Sequence, residues 1–491
     1  MVAGSFLADR KAARARAGSS RWPWLVPLIP AVVALLVTGW RLSEPTFWRD
    51  ETATISVARR SPSEILELLG NIDAVHGLYY LLMHPVVRLF GSDEIAMRAP
   101  SVLAAAVAAA VTAMIGARLA DRRVGLVAGL LVAVAPAISR YAQEARQYTL
   151  ATAVAVVATY LLVRAAERGD RRWFAAYAGS VALLGWLQIF YVLIIPAHAV
   201  LVATTHERTL RTFRRWLIAV VLAVLAIVPL LPKALSQRKL QVGWIAKPDG
   251  GTLRFTLEMM AGGGWLIVPV VALVVLALLR PVPRTGPVDP RWTAAAWVLL
   301  PPAILLASSL IVPNYVFRYV LFCVPAVALM AALALRRLPV WVAVLVVLGL
   351  TLGTVPEHLK IREPDSRADD IRALSAVLGE HRRPGDAIVF TDQRSRRLMT
   401  GYPDSFRGLN DIALAKTSAA SASIDGTEVS PAELATRLST VRRVWFVRRS
   451  FVSDIPVDKA KFTLISRDVR HWRNVARYRY KGGTVTLYER R

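Results

Sequence analysis

The stretch "PTFWRDETATISVARRSP", residues 45–62, decides how this chain is read. It follows an apolar run, about residues 23–40, and sets two carboxylates, Asp50 and Glu51, side by side behind Trp48 and Arg49. An acidic pair where a chain leaves an apolar run is either a solvated boundary that caps a helix or part of a site. The pair alone favours the cap. The rest of the chain has to supply any other reading.

The 491 residues are 55% hydrophobic and 19% charged, which excludes disorder and is too apolar for an ordinary soluble enzyme. Apolar runs of about 17–25 residues recur along the chain, each about long enough to cross a bilayer, and they predict a polytopic helical membrane protein. The net charge of +27 could suit nucleic acid, but no nucleic-acid motif occurs, and the Lys and Arg residues cluster at the ends of apolar runs. The expected partner is a lipid bilayer, with no nucleic acid. Cys323 is the single cysteine and lies in an apolar run, so disulfides and cysteine metal clusters are excluded.

The basic tail 1–22, with "ADRKAARARAGSSR", precedes the first run and lacks a cleavage site, so an uncleaved first helix with a cytoplasmic N-terminus is expected. Further spans are expected at about 95–117, 124–139, 148–163, two within 173–204, 216–233, 264–279, 293–312, 319–335 and 339–355. That makes about eleven transmembrane helices in a domain covering 23–355. With Met1 inside, the basic turns at 118–123, 164–172, 208–215, 280–291 and 336–337 all fall on the cytoplasmic side. The long first loop, 41–93, then lies outside, and so does the segment 356–491. That segment reads as a small soluble α/β domain: an amphipathic helix in "SRADDIRALSAVLGEHRRPGD", then strands at "AIVF", "RVWFVR", "FTLISR" and "TVTLYE". In the first loop, "SPSEILELLG" and "LYYLLMHPVVRLFG" read as helices lying in the interface.

Ionisable residues inside spans mark ion or proton pathways. Here His198 is the main one expected in a span, and it reads as a helix-packing residue. The polar clusters fall instead in outward loops. They are Arg49, Asp50 and Glu51 with His76, Tyr79 and Tyr80 in the first loop; "SRYAQEARQYTL" (139–150) with Arg140, Tyr141, Glu144 and Arg146; and "PNYVFRYV" (313–320) with Arg318 and Tyr319. Each has a structural reading, as a cap, a snorkelling arginine or an interfacial aromatic. Their joint placement on one face, beside a loop far longer than a connector needs, favours a site. A lipid-linked phosphate substrate would need a carboxylate to take the acceptor's proton and arginine or phenol donors for the leaving phosphate. Asp50 and Glu51 point in different directions on any regular backbone, so Asp50 is expected to face substrate and Glu51 to orient an Arg, a His or a metal. A transporter or flippase of a lipid-linked cell-envelope precursor is the alternative, and it predicts polar residues deep in the spans and two related halves.

Four segments, "FWRDETATISVARRSPSEI", "HGLYYLLMHPVVRLFGSDEIAMRAPSVLAA", "ADRRVGLVAGLLVAVAPAISRYAQEARQYTLATAVAVVATYLL" and "PNYVFRYVLFCVPAVALM", together resemble the GT-C glycosyltransferases. The closest group is the bacterial branch related to protein O-mannosyltransferases and the lipid A aminoarabinose transferase. The likeness covers about residues 25–335. It implies a mannosyltransferase-like hexosyl- or pentosyltransferase that moves sugar, with inversion, from a polyprenyl-phosphate donor to a glycan, lipid or protein acceptor outside a bacterial cell membrane. It also implies Asp50 as general base with Glu51 as its companion, a substrate site drawing on Arg140, Tyr141, Glu144 and Arg146, and Arg318 against the donor phosphate. His76 stands where relatives often have His-Pro, but Gly77 follows it here. Some GT-C members use a divalent metal ion and others do not, and the spacing of residues here selects neither.

Overall fold

The structure, a computed structural model, describes residues 23–205, 210–279, 288–450, 456–468 and 471–491. The basic tail 1–22 and the basic stretches 206–209 and 280–287 lie outside the described residues.

Each apolar run of the sequence folds as helix, and the chain is a multi-pass helical membrane protein. Five helices are long and apolar enough to cross a membrane: Glu94–Leu119, Tyr148–Arg168, Leu210–Ser236, Pro290–Ile311 and Val340–Lys360. Two more candidates are bent pairs, Arg122–Ala133 with Pro136–Ala142 at 53° and Gly250–Ala261 with Gly264–Leu279 at 79°. Leu25–Gly39, Ile189–Ala203 and Leu321–Leu335 are apolar but shorter, and Arg171–Leu187 joins them. Full-length spans among the described residues therefore number up to seven. The sequence runs are broken where backbone chemistry demands it. Pro136 starts a new helix behind an extended Ala135. Gly262 and Gly263 take positive φ between the halves of the second pair. Gln188 is extended where the 173–204 run divides.

Small residues let the first helices touch backbone to backbone. A Cβ built on Gly125 would sit 2.4 Å from the Ala113 carbonyl oxygen, and one on Gly129 would meet the Pro30 ring at 2.7 Å. Close approach of this kind is what holds helices together where apolar burial gives no preference over lipid. His198 is satisfied inside the bundle by Tyr177 and Thr159, each at 3.0 Å, as a packing histidine should be. At one end of the bundle the basic turns are tied together: Arg336 pairs with Asp121, Arg118 with Glu167 at 3.3 Å, and Arg123 donates to the Leu338 carbonyl at 2.8 Å.

At the other end the long loop folds into helices Arg49–Ala58, Pro62–Asn71 and Gly77–Phe90, with a 3-10 turn at Ala74–His76. Pro62–Asn71 begins on a reciprocal cap, in which Ser61 Oγ accepts from Glu64 N and Glu64 Oε2 accepts from Ser61 N at 2.8 Å. The C-terminal part carries strands β1 (Ala387–Phe390), β2 (Asn410–Asp411), β3 (Leu414–Lys416), β4 (Thr427–Glu428), β5 (Arg443–Arg449), β6 (Trp472–Tyr480) and β7 (Gly483–Arg490). Five form one sheet in the order β2-β1-β5-β7-β6, parallel from β2 to β5 and antiparallel beyond, and β3 pairs with β4. The amphipathic helix is Ile371–His381, capped by Asp370.

One expectation for this part is corrected. "FTLISR" lies inside the helix Pro456–Asp468. That helix opens on Pro456, and its Asp458 and Lys461, one turn apart, pair at 3.5 Å, so a helix start overrides the strand-like apolar residues. The strand that fills the place is β6, "WRNVARYRY", whose arginines hid its alternation. It is the sheet edge, where exposed charges are tolerated.

The long first loop and the C-terminal sheet share one hydrophobic core. Phe47, Ile55, Leu68, Tyr80 and Met97 pack in the same cluster as Ile371, Phe390, Trp445 and Leu487. Polar bonds close the seam: Arg49 grips Asp369 with Nε and Nη2 at 2.9 and 2.8 Å, and Tyr402 donates to Glu94 at 2.7 Å. The helix Val340–Lys360 runs past residue 355, and the buried Arg362 just beyond it donates to Trp40 O and Ser139 Oγ.

Gly125→Leu should abolish folded protein, because the new side chain would meet backbone that cannot yield. Gly179→Leu, whose Cβ would meet nothing within 4 Å, should melt as wild type. Thermal melting of both in detergent checks this.

Candidate active site

The helix Arg49–Ala58 starts behind an extended Trp48, and its first turn holds Asp50 and Glu51 near the positive end of the helix dipole. Consecutive residues on a helix diverge by about 100°, and the two carboxylates part. Glu51 turns fully inward. Its Oε1 and Oε2 receive Arg98 Nε and Nη2 at 2.8 and 2.9 Å, Oε1 also receives Ala145 N at 2.9 Å, and Oε2 receives Trp48 N at 3.4 Å. Arg98 spends its remaining donors on the carbonyls of Leu42, Pro45 and Thr46. Neither side chain has any exposure. Glu51 thus cannot touch a substrate as catalyst; it orients an arginine, one of the partners the sequence allowed.

Asp50 turns to the cleft. Its side chain is 23% exposed, and Oδ2 stands 3.6 Å from Arg318 Nη1. Arg318 is held by rings: its guanidinium lies 5.2 Å from Trp244, 5.5 Å from Tyr148 and 5.8 Å from Tyr319. The segment 143–147 has no ladder of its own, and side chains pin it. Ser101 Oγ donates to the Glu144 and Arg146 carbonyls, and Gln143 donates to those of Thr38 and Trp40. So fixed, Arg146 reaches the Asp50 carbonyl and Thr54 Oγ1, both at 3.4 Å, and His76 Nε2 at 3.2 Å. A guanidinium only donates, so His76 Nε2 offers it a lone pair and the ring is neutral, with Nδ1 2.6 Å from the Gln147 side-chain amide, whose oxygen is the end able to accept from it. Burial, and then Arg146, hold this ring well below its ordinary value, at about 4.

Arg140 lies 3.0 Å and Arg367 3.8 Å from Glu144 Oε1. Burial pushes the Glu144 carboxyl up against the pull of Arg140. Several atoms around Asp50 have no protein partner: Arg318 Nε, Arg146 Nε and Glu144 Oε2. A ligand's oxygens and hydroxyls, or water, are what such groups are built to meet. Among the described residues no three His, Cys, Asp or Glu come together as a metal ion requires, and the neighbours of Asp50 here are cationic. The residues present do not fit a divalent metal.

The structure brings Asp50, His76, Arg140, Tyr141, Glu144, Arg146, Arg318 and Tyr319 to one region. Tyr141 packs on Tyr148 and Phe317, and Tyr319 stacks on Phe190. Tyr79 and Tyr80 are corrected from substrate contacts to wall: both are buried in the shared core, and Tyr80 donates to Asp73 at 2.6 Å. Arg98, Asp73, Gln147 and Trp244 were missed. Arg98 left a signal, a charge inside an apolar run. Asp73 left a weaker one, since its left-handed φ of 61° suits Asp.

Residues 78–232 match the family described as dolichyl-phosphate-mannose-protein mannosyltransferase. Among solved structures, ArnT from Cupriavidus metallidurans in the apo state superposes with a TM-score of 0.64 at 14% identity, covering 96% of this chain and 98% of that one. ArnT bound to undecaprenyl phosphate gives 0.62 at the same identity and coverage. The archaeal oligosaccharyltransferase AglB from Archaeoglobus fulgidus, in complex with an inhibitory peptide and a dolichol-phosphate, gives 0.50 at 10% identity over 87% of this chain and 69% of that one. No curated protein matches the chain in sequence. The chain has the fold of the GT-C glycosyltransferases.

Removing either half of a buried ion pair strands the other charge, at a cost of about 3–5 kcal/mol. Glu51→Leu or Arg98→Leu should each lower the melting temperature sharply, and the double variant should lose less than the sum. His76 gives a second test. Its unfolded value, about 6.5, lies above the folded one, so its contribution is complete above that pH and is lost as pH falls toward 4. Melting from pH 7 to pH 4 should fall more steeply for wild type than for His76→Gln.

Proposed function

We propose that this GT-C-fold protein is a glycosyltransferase that moves a hexose or pentose from a polyprenyl-phosphate donor to an acceptor hydroxyl by a single inverting displacement, with Asp50 as general base. The observation that carries the reading is the half-open Asp50 carboxylate facing Arg318 at 3.6 Å, beside Arg146. Asp50 takes the hydroxyl proton as the acceptor oxygen attacks the anomeric carbon, and the bond from that carbon to the phosphate oxygen breaks on the opposite face. Charge gathers on the departing phosphate, and Arg318 and Arg146, with Nε donors to spare, are placed to receive it. One carboxylate suffices because phosphate leaves without a general acid. ArnT has been seen with undecaprenyl phosphate and AglB with a dolichol-phosphate, which supports a donor of this class.

Lys and Arg concentrate in the turns at the end of the bundle away from Asp50. This supports an N-terminus inside a bacterial cell membrane and a site outside it, with 1–22 as cytoplasmic tail, 23–355 as membrane domain and 356–491 as extracytoplasmic domain.

The test is purified full-length protein given labelled polyprenyl-phosphate sugars and envelope glycan acceptors. Asp50→Asn should lose at least about a hundredfold in transfer, the scale of general base catalysis, with an unchanged melting curve. An Asn variant of full activity would sink the mechanism.

A further inference from the structure

The 3-10 segment Gln393–Thr400 of the C-terminal part lies against the helix that carries Asp50. Thr400 Oγ1 donates to the Thr52 carbonyl at 3.0 Å, and a Cβ on Gly401 would stand 3.2 Å from Thr52 Cγ2. This contact brings up Arg397, which grips Asp425 side-on, with Nε to Oδ1 at 2.6 Å and Nη2 to Oδ2. The two side chains are 14% and 15% exposed, so the pair is partly open to solvent rather than sealed in a core. Arg397 lies within the electrostatic reach of both Asp50 and Asp73. From the other wall comes Arg60, only 6% exposed. It donates through Nη2 to the carbonyl of Ser423, two residues from Asp425, while its Nη1 has no protein partner.

Building on the glycosyl-transfer reading above, we infer that Arg397, Asp425 and Arg60 form the acceptor subsite, and that the acceptor is an uncharged, hydroxyl-rich glycan rather than a phosphate-bearing one. The charges decide the class. On the Arg318 and Arg146 side, guanidiniums outnumber carboxylates, Arg140, Arg146, Arg318 and Arg367 against Asp50, Glu144 and Asp73, and suit a donor phosphate. On the C-terminal side the charges cancel, Arg397 against Asp425 and Arg60 against Glu64. Arg397 already gives two donors to Asp425, so it does not offer the free fork that binds phosphate. The carboxylate keeps unused lone pairs and Arg60 keeps a free N–H, which is the mixed acceptor and donor edge that sugar hydroxyls take up.

The test uses full-length protein, a polyprenyl-phosphate sugar that supports turnover, and two acceptor probes, an octyl trimannoside and the same glycoside carrying a phosphate monoester. Wild type should use the neutral probe with at least about tenfold higher kcat/KM, as expected when a charged group meets a site with no matching fork. Asp425→Asn, and the double Arg397→Gln/Asp425→Asn that removes both charges together, should raise KM for the neutral probe at least about tenfold with little change in kcat. Binding of undecaprenyl phosphate should stay unchanged. A preference for the phosphorylated probe, turnover of neither probe, an unchanged KM in both variants, or a parallel loss of undecaprenyl phosphate binding would each overturn the inference. Failure of the underlying reading has a separate signature: no labelled donor is consumed even by water, and Asp50→Asn changes nothing.

Discussion

The ion pair of Glu51 with Arg98 fixes the geometry on which the site depends. Both side chains are fully buried, and every donor of Arg98 is used: Nε and one Nη2 hydrogen on Glu51, the others on Leu42, Pro45 and Thr46. Glu51 in turn takes the Ala145 and Trp48 amides. Three separate stretches, 42–51, the helix at 98 and the loop at 145, are thereby locked to one another. A buried pair is poor evidence for stability, since its desolvation offsets much of its attraction. It is better evidence for placement, because all of these groups are satisfied together by one arrangement of the three stretches. Asp50, one residue along the helix, has its direction set by the depth at which Glu51 is anchored.

The same lock explains why the site sits where two parts of the chain meet. The helices of the long first loop have one face on the membrane bundle, and without cover their other face would leave Ile55, Ile65 and Leu68 in water. The sheet that covers them does so with Trp445, Phe390 and Leu487 in a common core. Catalytic geometry on rigid elements is more exact than on loops. Here a segment without regular structure, 143–147, is made rigid by bonds from Ser101, Gln143 and Glu51 instead.

Much of this was legible because hydropathy and charge act locally. Apolar runs, basic turns, the acidic pair, and the "RYAQEARQY" and "PNYVFRYV" loops stand out along the chain, and the structure brings the loops together. The illegible parts depend on distant partners. Tyr79 and Tyr80 look like interfacial aromatics until the C-terminal core closes over them. Arg98 looks like one charge lost at the edge of an apolar run until Glu51 meets it. "FTLISR" has strand composition, but the Pro456 start and the Asp458–Lys461 pair one turn apart outweigh it. Arg397 and Asp425, more than three hundred residues from Asp50, carry no mark in sequence of where they end.

The arginines packed around the Arg49–Ala58 helix and its neighbours differ in how many of their donors the protein uses. Arg98 is complete, with five hydrogens on five acceptors inside the protein. Arg362 likewise spends its donors on Trp40, His358 and Ser139. Arg146 is buried and Arg318 largely so, yet both keep Nε unpartnered, and Glu144 beside them keeps a bare oxygen. An unmade bond of this sort costs about 1–3 kcal/mol for each buried group, and a fold that needed these residues only for stability would gain by pairing them as it pairs Arg98. Beside Asp50 the unpaired donors of Arg318 and Arg146 lie on the side where, on the proposed reading, charge appears on a departing phosphate, and the spent donors of Arg98 lie on the Glu51 side. That division points to Asp50 as the residue on which the chemistry turns, and to Glu51 as part of the frame that holds it.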